Sequence, residues 1–161
     1  MHALVTTARH HAVHVALALW AVLGIVAGAD LLAGHLLTLP TPSRDDVEVG
    51  RALAGERPVG ATGRWLAVHV MYQECPCSRR ILRHLLDQPR PADLAEVVVL
   101  AADDGRGDPA TVAALTARGF TVRVVPTPAL RAQLHVQAAP LLAILDPRDD
   151  LRYVGGYSRR K

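Results

Sequence analysis

From Ala12 to Ala29 the chain reads AVHVALALWAVLGIVAGA, an apolar run without Asp, Glu, Lys or Arg. A helix of about that length covers the hydrocarbon core of a bilayer. Asp30 interrupts the run, and LLAGHLL then carries the apolar character on towards Pro40. Residues 40–63 change in kind: they are rich in Pro, Gly, Thr and charge, and only DDVEVGRALAG offers a helical turn or two. That stretch reads as a tether. RWLAVHVMY (64–72) is a continuous run without alternation, as expected of a central strand covered on both faces. After it, Ile81, Leu82, Leu85 and Leu86 recur at helical spacing, with Arg79, Arg80, Arg83 and Asp87 on the other face, until Pro89 and Pro91 stop the helix.

The alternation continues. LAEVVVLAA (94–102) reads as a second buried strand. DPATVAALTARG (108–119) reads as a helix, with Asp108 as cap, Pro109 at its first position and Gly119 as its stop. FTVRVV (120–125) predicts a strand, PALRAQLHV (128–136) a short helix, LLAILD (141–146) a strand, and PRDD a turn into a last strand, LRYVGG. Strands separated by helices pair in parallel, and the closing hairpin adds an antiparallel edge.

With 161 residues there is room for one ordinary domain and an anchor. The boundaries read as a cytoplasmic stub and transmembrane helix over 1–39, a linker over 40–63 and a domain over 64–161. Arg9, with His10 and His11, precedes the apolar run, and Asp45, Asp46 and Glu48 follow it beyond Arg44. The positive-inside rule then places the N-terminus in the cytoplasm. The expected location is a bacterial inner membrane, crossed once, with the C-terminal domain facing the periplasm or the cell exterior. Ala27-Gly28-Ala29 is an A-x-A-like site, so a cleaved signal peptide competes with an uncleaved anchor. The return of apolar character after Asp30 favours the anchor, and both options export the domain.

Charge excludes one class of partner. The net charge is +3, but the compact basic clusters are only Arg79–Arg80 and Arg159–Arg160–Lys161, in a chain with 4% aromatic residues. Neither cluster is interleaved with aromatics, so no nucleic-acid surface is expected. His10 and His14 share a helix face, but the sequence sets no thiol or carboxylate beside them to complete a metal site, and with His11 and His35 they read as interfacial histidines. His69, inside an apolar strand, reads as a core histidine bonded to backbone.

The stretch QECPCSRRILRHLL (73–86) holds both cysteines of the chain, Cys75 and Cys77, one residue apart. A bridge that short cannot staple separated parts of a fold, which leaves a reactive site or a metal-binding fragment. Pro76 suits the first position of a helix, where its missing N–H costs nothing. Cys75 then lies at the cap and Cys77 in the first turn. The partial positive charge of a helix start, with Arg79 and Arg80 close by, favours thiolate, and Glu74 opposes it. A lowered thiol pKa makes a better nucleophile at neutral pH and a better leaving group.

From about Arg64 to Gly156 the chain resembles exported, membrane-tethered thioredoxin-like proteins of the TlpA kind. The likeness is carried by the first strand, by CPCSRR at a helix start, and by VQAAPLLAILDPRDDLRYVGG. The Cys-Pro-Cys-Ser-Arg stretch is most similar to RedB-like membrane proteins. The resemblance implies an α/β fold, a thioredoxin-like central mixed sheet flanked by helices, here preceded by one transmembrane helix. It also implies that Pro140 is a cis-proline facing the thiols, with backbone exposed to a peptide substrate. One departure is plain: the family has two residues between its cysteines, and here there is one. A Cys-x-Cys bridge closes a small ring, which is expected to raise its reduction potential. A final helix, usual in the family after the last strand, is not expected from YSRRK, so the domain would be minimal, or an edge would be covered by a neighbour or by the membrane.

The leading expectation is a thiol–disulfide oxidoreductase acting on a protein partner, without cofactor. Cys75, nearer the exposed cap, attacks; Cys77 resolves; Pro140 lines the site. No third cysteine exists, so regeneration falls to another protein. Export suits this chemistry. A reading from another class is a copper(I) or other soft-metal carrier using both thiolates and a histidine, for which His135 is the nearest candidate. A structural zinc site falls short of ligands. The remaining alternative is a binding module with incidental buried cysteines, against which two thiols at one helix cap argue.

Overall fold

The computed structural model describes residues 2–36 and 42–157. The Arg159–Arg160–Lys161 cluster and the side chains of His10, His11 and His35 lie outside the described residues. The chain divides into two units, Met1–Leu39 and Pro40–Lys161.

The first unit is one helix, α1 (His2–Leu36). Within it, Val13–Leu32 is a 20-residue stretch of mean hydropathy 2.2, long and apolar enough to be a candidate membrane span. Asp30 does not end the helix. A helix meets its backbone hydrogen bonds internally, so one polar residue is no reason to break it.

The second unit is built on a five-stranded sheet in the order β3-β2-β1-β4-β5, with β3 and β5 outermost. The strands are β1 (Trp65–Tyr72), β2 (Leu94–Ala102), β3 (Thr121–Pro126), β4 (Leu141–Leu145) and β5 (Leu151–Gly155). β1 pairs in parallel with β2, and β2 with β3; β4 runs antiparallel to both β1 and β5. The β4–β5 pairing carries a register shift between Ile144 and Leu145.

The runs of β1 and β2, apolar but for His69 and Glu96, follow from burial on both faces. On one face Leu66, Val68 and Val70 join Val97, Val99 and Ala101 beneath Val49, Leu53, Leu130 and Leu134 of two helices. These helices are α2 (Val47–Ala54) and α5 (Thr127–Leu134). On the other face Met71, Val98 and Leu100 meet Leu82 and Leu115, from α3 (Pro76–Asp87) and α4 (Pro109–Ala117). Asp108 caps α4 by accepting the Thr111 N–H at 2.9 Å. Gly119 follows at φ +85°, a conformation suited to glycine after a helix. α5 is shorter than the 128–136 expectation, because His135 turns left-handed at φ 56° and ends it.

The tether expected over 40–63 is corrected. α2 lies inside that stretch, with the Asp46 carboxylate accepting from the N–H groups of Glu48 and Val49, and with Val49 and Leu53 fully buried in the core. Arg57 fastens the loop between α2 and β1. Its guanidinium donates to the carbonyls of Ala61, Arg64 and Asp146 and to the Asp149 carboxylate. Arg123 of β3 pairs with Glu56. A solvated linker makes no such contacts, so this segment is part of the folded domain.

Candidate functional site

The turn from β1 into α3 is held at several points. The Gln73 N–H donates to the Ala101 carbonyl at 2.9 Å, and the Cys75 N–H to the Tyr72 carbonyl at 3.0 Å. Ser78, fully buried, accepts the Tyr72 N–H on its hydroxyl at 3.0 Å. Gln73 Oε1 accepts the Asp108 N–H at 2.5 Å and joins the turn to the start of α4. Cys75 is the N-cap of α3, with extended backbone, and Pro76 opens the helix, as the spacing requires. Both cysteines are free thiols.

Exposure runs opposite to expectation: Cys75 is half-buried and Cys77 is exposed. The cap position lies against the end of β1, whereas Pro76 and Cys77 of the first turn are exposed. Electrostatics single out Cys75 all the same. The Ser78 N–H is the largest influence, holding its thiol below the ordinary value. Burial opposes this, and the Cys77 N–H and the Cys77 and Ser78 side chains add to the lowering. The thiol makes no closed cap hydrogen bond, so the effect is that of oriented dipoles at a helix start. A lowered pKa raises the thiolate share at any given pH, and that thiolate is lost as pH falls through it. In a Cys77→Ser variant, iodoacetamide alkylation of Cys75 should therefore reach half its maximal rate below about pH 8.5, the midpoint of an ordinary cysteine. A midpoint at or above that pH would remove the electrostatic distinction.

The Ala139–Pro140 peptide is cis. Val70 is level with Leu141 in the antiparallel β1–β4 register, which sets Pro140 at the end of β1 that leads into Cys75. A mixed sheet with a dithiol helix after the central strand and a cis-proline before the antiparallel one meets the expectation. The fold is thioredoxin-like.

Solved structures of low sequence identity match part of this chain. StoA from Bacillus subtilis matches with 15% identity over 58% of this chain and 74% of its own, at a TM-score of 0.44. The N-terminal domain of PilB from Neisseria gonorrhoeae matches with 12% identity over 67% and 82%, at 0.45. A thiol-disulfide isomerase from Corynebacterium glutamicum matches with 14% identity over 74% and 84%, at 0.40. No family model and no curated protein matches the chain.

Two polar clusters escaped the sequence reading. The Tyr72 hydroxyl donates to Asp103 at 3.0 Å, and the Thr127 hydroxyl donates to the same carboxylate at 2.7 Å. The hydrogen bond to Asp103 pushes the Tyr72 phenol up, and together these bonds tie the end of β1 to the start of α5. The second cluster is buried. His69 Nδ1 lies 2.6 Å from the Tyr157 hydroxyl, so this histidine is bonded to a side chain and not to backbone as expected. Its Nε2 stands 3.5 Å from Glu96, which Arg90 holds at 2.6 Å while lying over the Phe120 ring. Burial raises the Glu96 carboxyl, but bonding from His69 and Arg90 outweighs it and the net shift is downward. Burial pushes the Tyr157 phenol up.

His135, the histidine considered as a third metal ligand, stands 3.8 Å from Glu48. Among the described residues no three His, Cys, Asp or Glu side chains come together as a metal-holding set.

Proposed function

We propose that this chain is a membrane-tethered thiol–disulfide oxidoreductase that exchanges disulfides with partner proteins through Cys75 and Cys77. The observation that carries the reading is a free dithiol at the start of α3, one member with a lowered pKa, at the same sheet end as a cis-proline. The chemistry follows from those residues. The Cys75 thiolate attacks one sulfur of a partner disulfide, and the other sulfur leaves as a thiolate and takes a proton. Cys77 then gives up its proton and attacks Cys75 Sγ, which releases the second partner thiol. The partner gains two electrons and two protons; the chain is left with a Cys75–Cys77 bridge, and an external dithiol restores it by the same steps in reverse. Pro140 lines the site, and the backbone beside it offers hydrogen bonds to an extended partner segment.

α1 serves as the anchor in this reading, with the N-terminus in the cytoplasm and the domain outside the bacterial inner membrane, where disulfides form and persist. The Cys-Pro-Cys-Ser-Arg stretch supports a RedB-like subtype. The direct test is a thiol count on the purified full chain. Mild oxidation should remove both thiols without forming dimers, and dithiothreitol should return both. Thiols that stay free under oxidant, or that pair only between chains, would overturn the reading.

A further inference from the structure

Arg79, Arg80 and Arg83 of α3 are exposed. Among the described residues none of these three forms a salt bridge, although Arg44, Arg57, Arg90, Arg123 and Arg152 do, and the three follow one another on a single helix. Arg79 reaches only a carbonyl, that of Glu74, at 3.3 Å. These three arginines line a groove of about 400 Å³ together with Leu82, Leu86 and Thr111 of α4. Pro76, which separates the two cysteines, lines the same groove. The groove thus reaches the residue between the two cysteines and runs along the helix.

We propose that this groove receives an acidic segment flanking the disulfide of the partner protein, an inference that rests on the redox reading above. An apolar side chain of that segment fits against Leu82 and Leu86, and an Asp or Glu beside it meets the guanidinium rim. A planar guanidinium binds a carboxylate through two parallel N–H bonds, and an arginine without a partner of its own has both to offer. The position serves exchange as well, because a segment held there places its cysteine beside Cys75. An anionic lipid surface would satisfy the same charges, but it leaves the apolar strip and the closeness to the thiols without a role.

The test compares two synthetic peptide disulfides of equal length, one with Leu-Asp-Glu beside the cysteine and one with Leu-Lys-Lys. Each reacts with the reduced full chain in neutral detergent, and an uncharged small disulfide is run alongside. The acidic peptide should react about tenfold faster at low salt, as steering of opposite charges predicts. The ratio should approach one at about 0.5 M salt and in an Arg80→Ala/Arg83→Ala variant. Equal peptide rates, with the small disulfide still reacting, would overturn the groove and leave the redox reading standing. No reaction with the small disulfide sinks the redox reading instead. Labelled peptides without the disulfide, followed by fluorescence anisotropy, still test the groove in that case: binding of both or of neither overturns it. Binding of the chain's arginine face to phosphatidylglycerol vesicles without peptide preference also overturns it, in favour of lipid.

Discussion

The full chain carrying Cys75→Ser should lose turnover with a protein disulfide by at least on the order of a thousandfold. Cys77→Ser should still attack once and accumulate as a mixed disulfide with its partner. The asymmetry rests on the electrostatics of the helix start. Cys75 is held below the ordinary thiol value, chiefly by the Ser78 N–H, while a serine hydroxyl in its place stays protonated at neutral pH and does not attack sulfur. With Cys75 present and Cys77 removed, the first exchange goes forward, but nothing in the chain can resolve the product. Non-reducing electrophoresis and mass spectrometry of the adduct read the outcome. Since Cys77 is the more exposed thiol, the opposite trapping pattern would mean that access outweighs thiolate character, and the two roles would be exchanged.

Leu53→Ala should lower the unfolding free energy of the domain by about 3 kcal/mol, the usual cost of emptying a buried leucine site. Leu53 is 0% exposed and packs in the core face of the sheet, although it lies in the stretch that composition marks as a tether. Val47, in the same helix but 68% exposed, supplies the control. Val47→Ala should change stability by less than about 0.5 kcal/mol. Denaturant titration followed by circular dichroism measures both. Equal, negligible effects would mean that α2 is a spectator of the fold.

These two experiments mark where the sequence was readable. β2 is found over the same Leu94–Ala102 span that its apolar run predicts. The α3 and α4 starts were legible because proline and a capping residue state a helix boundary within a few positions. α2 was legible as a helical turn or two, but its place in the core was not, since its eight residues contribute only Val49, Gly50 and Leu53 to the interior, too few for a periodicity to stand out among prolines and glycines. The Arg57 clamp joins groups up to 92 positions apart, and the His69–Tyr157 bond spans 88. Local spacing carries no information about such pairings. The site was legible in its sulfur chemistry and its place at a helix cap. Which thiol faces outward was not, because that depends on how the cap residue rests against the end of β1.

The outermost strands have a consequence for the molecule in company. β3 ends in Pro126, which has no N–H to offer, and β5 is five residues long with irregular pairing to its neighbour. Long, straight, unprotected borders invite a second chain to add its own backbone and begin a fibre. Here both borders are blunted, so copies crowded together find a poorer template for polymer growth.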